Sequence, residues 1–154
     1  MKSLATAAVT ALSLFLGLPS AIFAGSEDVV VENPWARASI GTNRPGAAYM
    51  TVHNTGADPV ILLGLETPLA MMPDIHQTTT DANGVSSMAP VGEITIPPGE
   101  RVSLEPGGLH AMLMRLQTPM IEGEVFFMTL IFDDGGAVTI DVPILGIAAR
   151  GPEG

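Results

Sequence analysis

DIHQTTTDANGVSSMAPV, residues 74–91, decides the fold. Two runs of strand-forming residues, Asp74 to Thr80 and Val85 to Val91, flank Asp81-Ala82-Asn83-Gly84. Asn-Gly between such runs is a strong hairpin signal, because both residues accept the positive φ of a tight turn. The same alternation of short apolar runs and turn residues continues in both directions. Upstream lie Val29 to Val31, Ala47 to His53, which stops at Asn54-Thr55-Gly56, and Pro59 to Glu66. Downstream lie Glu93 to Ile96, Arg101 to Leu104, Leu109 to Leu116, Glu124 to Phe132 and Ala137 to Val142. Pro97-Pro98-Gly99, Pro106-Gly107-Gly108 and Asp133-Asp134-Gly135-Gly136 separate them. Beyond the first two dozen residues no window carries a helical period with caps. Seventeen glycines and thirteen prolines punctuate the segments at fairly even spacing. The pattern predicts one all-β domain, a Greek-key β-sandwich or small barrel. Trp35 is expected to anchor its core, and residues 148–154 to form a loose end.

Residues 1–24 stand apart. A basic start at Met1-Lys2 leads into an apolar run from Leu4 to about Leu18, a break at Pro19-Ser20, and a small residue at Ala24. That is the layout of a secretory signal peptide, with cleavage expected near Ala24 and a mature domain of residues 25–154. The run is shorter than the roughly 20 apolar residues of a spanning helix, so no stable membrane insertion is expected after cleavage. The formal charge is −10, and loss of Lys2 takes the mature chain to about −11. So acidic a surface argues against nucleic acid and anionic lipid as partners. Cysteine is absent. Stability must come from core packing without disulfides, and Cys nucleophiles, dithiol redox pairs and thiolate metal sites are excluded.

Nine methionines against three histidines shift attention to soft-metal chemistry. In Leu109-His110-Ala111-Met112-Leu113-Met114, strand alternation puts His110, Met112 and Met114 on one face. Alone, such a row reads as core filled by flexible Met side chains. His76 and Met88, on the two arms of the hairpin, supply a second His/Met pair. They share a face if the loop is odd or bulged. Thioether sulfur favours Cu(I) and offers little to Zn, Mg or Ca. Two imidazoles and two thioethers form a neutral three- or four-coordinate set for that ion. Coordination requires neutral imidazole, so acid should weaken the site. Met71-Met72 reads either as spare thioethers or as core, and Met120 and Met128 as packing. His53 is expected at the surface. Asp81-x-Asn83-Gly84 lacks the Glu of a calcium loop and reads as a turn.

His76-Gln77, Met88 and His110-x-Met112 stand at the spacings of the periplasmic PCu(A)C copper chaperones: His, an optional Met, ten residues, Met, twenty-one residues, His-x-Met. The chain resembles that family over roughly residues 29–145. Asn33-Pro34-Trp35-Ala36-Arg37, Ala48-Tyr49-Met50-Thr51-Val52-His53-Asn54 and Pro106-Gly107-Gly108 also match it. The resemblance implies a cupredoxin-like β-sandwich binding one Cu(I) per chain through His76, Met88, His110 and Met112. It further implies periplasmic delivery to a copper-accepting protein such as a cytochrome c oxidase subunit. Gln77 replaces the optional Met, and the end of the chain has no His/Met-rich tail. The expectation is a non-enzymatic metallochaperone. The competing reading is a metal-free exported β-sandwich that acts as an interaction module.

Overall fold

The computed structural model describes residues 25–154; the expected signal peptide lies outside them. A 3-10 turn, Ser26–Asp28, precedes ten strands. These are β1 (Val29–Arg37), β2 (Gly46–Asn54), β3 (Val60–Glu66), β4 (Ala70–Thr80), β5 (Ser86–Pro90), β6 (Ile94–Ile96), β7 (Arg101–Leu104), β8 (Leu109–Leu116), β9 (Val125–Phe132) and β10 (Ala137–Leu145). The domain is all-β, and no described helix is long and apolar enough to cross a membrane. One half is ordered β5-β4-β8-β2-β1, with β7 also on β2; the other is β10-β9-β3-β6. Parallel pairing of Ala36 with Ile144 and of Arg37 with Leu145 joins the halves through β1 and β10.

The core lies between the halves. Val52, Ile75, Leu104 and Leu113 from the first half cluster with Leu62, Ile96, Met128, Leu130, Phe132 and Val142 from the second. Alternation produces this: Ala48, Met50 and Val52 of β2 point inward, as do Phe126, Met128, Leu130 and Phe132 of β9. Each fully buried Leu, Ile or Phe stabilises the fold by about 1.5–3 kcal/mol relative to exposure. Asn54, fully buried at the end of β2, satisfies its amide by donating to the Asp58 and Ile96 carbonyls.

The structure departs from the sequence reading in three places. Asn33-Pro34 does not end the first strand. The register of β1 on β2 shifts between Glu32 and Trp35, with Asn33 at φ 50°. Asn tolerates left-handed φ, and a bulge needs no N–H from Pro34, so the strand continues past them. Trp35 is buried, but in a separate cluster with Tyr49 and Ala149 outside the main core. The end of the chain is tied down there. Ala149 is buried, and the Arg37 Nε–H donates to its carbonyl at 2.7 Å.

Candidate metal centre

The hairpin of β4 and β5 closes through residues 81–85, with Thr80 opposite Ser86. The Asp81 carboxylate accepts from the Asn83 and Val85 N–H groups at 2.8 and 2.9 Å, and Gly84 sits at φ 80°. Five residues lie between the last paired positions, so equally numbered parities stay in step across the turn. Met88 stands opposite Thr78 and Pro90 opposite His76, which puts Met88 on the His76 face. On the other side of β4, His76 pairs directly with His110 and Asp74 with Met112. His76, Met88, His110 and Met112 therefore occupy one face of three adjacent strands. Ile75, Ala111 and Leu113 occupy the opposite face, in the core.

The two imidazoles are 6.2 Å apart between ring centroids, inclined at 46°. His110 is buried although it faces away from the core, and the turn at residues 105–108 meets it through the Gly108 carbonyl. β7 and β8 both pair with β2, Leu104 opposite Met50 and Ala111 opposite Ala48. Residues 105–108 are thus an excursion from an otherwise continuous edge. The turn is closed by Glu105 N–H to Leu109 O at 2.7 Å, and Gly107 lies at φ 85°. The Gly108 carbonyl accepts from the Thr78 N–H at 3.0 Å and from His110 Nδ1 at 3.1 Å. A carbonyl can only accept, so this hydrogen bond places a proton on Nδ1, and in the neutral imidazole Nε2 keeps its lone pair. Fixing the tautomer through the second nitrogen is how metal-binding imidazoles are commonly oriented. The His76 side chain is 13 % exposed, with Nε2 3.6 Å from the Asp74 carboxylate.

Met88, His110 and Met112 line a cleft of about 350 Å³ together with Arg37, Arg44, Tyr49 and the Pro106-Gly107 turn. Met88 is 58 % exposed at its mouth. The Arg37 guanidinium stands 5.9 Å from the Trp35 ring centroid and 5.5 Å from that of Tyr49, whose rings are 4.5 Å apart. Burial pushes the Tyr49 phenol up, partly opposed by the Arg37 charge, so its hydroxyl stays protonated. Among the described residues no group of three or more His, Cys, Asp or Glu side chains gathers to hold a metal. An ion in this cleft would meet the Met88 and Met112 thioethers beside His110, with His76 outside the lining, and thioether donors favour a soft monovalent cation.

Asp74, Tyr49, Arg37 and Arg44 escaped the sequence reading. Asp74 was within reach of it, because it shares parity with His76 two residues away. The arginines come from β1 and the loop before β2, and only the tertiary fold brings them to the cleft. Met50, Met120 and Met128 are core, as expected for the last two, whereas Met71 and Met72 are exposed. His53 sits partly exposed on the outer face, its Nδ1 3.4 Å from the Glu32 carboxylate.

Fold and site define an all-β, cupredoxin-like domain with a His/Met cluster on one sheet face. Residues 29–144 match the family described as "Putative lipoprotein LpqE-like". The "Putative lipoprotein Lxx21020" of Leifsonia xyli subsp. xyli is 34 % identical over 120 residues, covering 77 % of this chain and 70 % of that protein. The chain belongs to the LpqE-like family. Its fold matches the apo PCuAC domain of PmoF2 with a TM-score of 0.65 at 29 % identity, over 80 % of this chain and 94 % of that domain. It also matches the solution structure of CuI-DR1885 from Deinococcus radiodurans, with a TM-score of 0.59 at 34 % identity, over 82 % of this chain and 86 % of that one. The resemblance to PCu(A)C chaperones seen in the sequence thus extends to the fold.

Proposed function

We propose that this protein is an exported copper chaperone that carries one Cu(I) between His76, Met88, His110 and Met112 and yields it to an acceptor protein. One observation carries the reading: His76 and His110 are direct cross-strand partners, with Met112 and Met88 on the same face of the flanking positions. The likeness to the copper-bound structure of CuI-DR1885 supports copper as the cargo.

The residues divide the work. Ile75, Ala111 and Leu113 anchor β4 and β8 in the core, and the cross-strand register sets the spacing of the two imidazoles. The Gly108 carbonyl keeps His110 Nε2 pointed away from the turn. Met88 lies on β5, an edge strand exposed along its whole length. It is the donor an incoming ligand can displace first, so release can proceed one bond at a time with copper never free. Neutral thioethers bind Cu(I) without the stronger hold of thiolates, which suits a carrier better than a store. All four donors are used in holding the ion, which leaves the chain as a carrier and not a copper enzyme.

The recipient we favour is a copper-accepting protein such as a cytochrome c oxidase subunit, reached in the periplasm after export. The relatives' name includes a lipoprotein, but this sequence contains no cysteine to carry a thioether-linked lipid. The test is an anaerobic Cu(I) competition titration against a coloured chelator. One tightly held equivalent, lost in His76→Ala and in Met112→Leu, supports the reading. No competition at any protein excess sinks it and returns the domain to a metal-free interaction module.

A further inference from the structure

The methionines of the described residues fall into two groups. Met50, Met120 and Met128 are 2 %, 1 % and 0 % exposed and fill the core. Met71, Met72 and Met88 are 65 %, 46 % and 58 % exposed, and Met112 and Met114 are partly exposed. A single exposed apolar residue needs no explanation, but these side chains follow a register. Along β4 and β8 the outward cross-strand pairs are His76 with His110, Asp74 with Met112, and Met72 with Met114. Successive pairs on one face are about 7 Å apart along the strands, and directly opposed Cα atoms about 4.5–5.5 Å apart. The ladder stops there. Arg115 lies at φ 55°, and beyond it Ala70 and Leu116 are turned into the core. Met72 and Met114 are thus the last outward pair, at the end of the ladder away from the β4–β5 turn.

Building on the Cu(I) reading of the His76 site, we infer that Met72 and Met114, with Met112 as a shared donor, form a second, all-thioether Cu(I) station on the same sheet face. Met112 lies between His110 and Met114, two residues from each, so it can stay bound while the other donors change. Transfer is ligand substitution: the bonds to Met88, His76 and His110 break as bonds to Met114 and Met72 form, and Met112 stays bound. Copper remains Cu(I), and no proton or electron moves. The Asp74 carboxylate, opposite Met112 and 3.6 Å from His76 Nε2, places negative charge beside the path of the cation. Three thioethers without an imidazole hold the ion more weakly than the His/Met set, as an entry or exit point requires. Thioether donors also exclude the harder divalent ions that would compete for the position.

The experiment is an anaerobic Cu(I) titration of the protein carrying 13C-methyl methionine, followed by the methyl resonances and assigned with single Met→Leu variants. The first equivalent is expected to move the Met88 and Met112 signals. Excess Cu(I) is then expected to move Met72 and Met114 and to shift Met112 again, while Met50, Met120 and Met128 stay still. The double variant Met72→Leu, Met114→Leu keeps the apolar bulk. It should bind the first equivalent unchanged, lose the second set of shifts, and pass copper to a chelator more slowly. Unmoved Met72 and Met114 signals at about three equivalents would overturn the second station while leaving the first site intact. If Met88 and Met112 do not respond to the first equivalent, the His/Met site itself is wrong and the second station falls with it.

Discussion

The two faces of the β4–β8 ladder differ in what a substitution can damage. One carries Ile75, Ala111 and Leu113, each essentially without solvent exposure; the other carries His76, His110 and Met112. The same strands serve both because side chains alternate, so stability and metal chemistry are separable one residue apart. Leu113→Ala should produce the largest effect on stability, about 2–5 kcal/mol, from lost burial and the cavity left behind. Urea denaturation measures it, and the folded fraction should still take one Cu(I). Copper loss in fully folded Leu113→Ala would show that the faces are not independent.

The converse substitution sits on the outer face. His76→Ala should lower Cu(I) affinity by more than the ~10–100-fold associated with groups that only orient a ligand. Its cost in stability should stay within about 1 kcal/mol, since no buried cavity opens. A chelator titration and a urea curve on the same sample test both halves. A large stability loss would mean that the imidazole supports the sheet as well as the metal.

Gly107→Ala sharpens the comparison by reaching the site through the backbone. An added Cβ there meets nothing within 4 Å, so space is not the obstacle. The φ of 85° is, and a side chain held in that region costs about 1–2 kcal/mol. Relaxing the turn would move the Gly108 carbonyl and release His110 Nδ1. The expected result is a modest loss of stability with Cu(I) affinity down by roughly tenfold. Stability lost with affinity unchanged would show that the Gly108 hydrogen bond does not orient the ligand.

The division between the faces was legible in the sequence, because it depends only on alternation and turn chemistry. Asp81-Ala82-Asn83-Gly84 announced the hairpin, and the His-x-Met spacing named four residues that the register brings to one face. Loop length could not be read: whether His76 and Met88 share a face depends on the five-residue closure between Thr80 and Ser86. Long-range packing was equally hidden. Trp35 and Ala149 come together across more than a hundred residues, so the Trp read as core and the last residues as loose. The excursion of residues 105–108 marks a turn in the sequence, but its hold on His110 exists only once β7 and β8 share the edge of β2.

The smallest effect lies far from the cleft, at the clip between the Ser26–Asp28 turn and the β9–β10 hairpin. The Asp134 carboxylate accepts from the Ser26 N–H at 2.7 Å and from the Gly136 N–H at 2.8 Å. These bonds, that to Ser26 foremost, hold its pKa below the ordinary carboxylate value. A depressed folded-state pKa adds stability that is fully present above the unfolded value and disappears as pH falls through the folded one. The group is almost fully solvated, so screening keeps the contribution small. Urea midpoints of wild type and Asp134→Asn should differ at neutral pH and converge as the medium is acidified past the carboxylate range. Amide exchange at Ser26 should quicken in the variant, while Cu(I) affinity stays unchanged. Parallel midpoint curves at all pH values would show that the clip contributes nothing to folding, and a change in copper affinity would couple two ends of the molecule that the structure keeps apart.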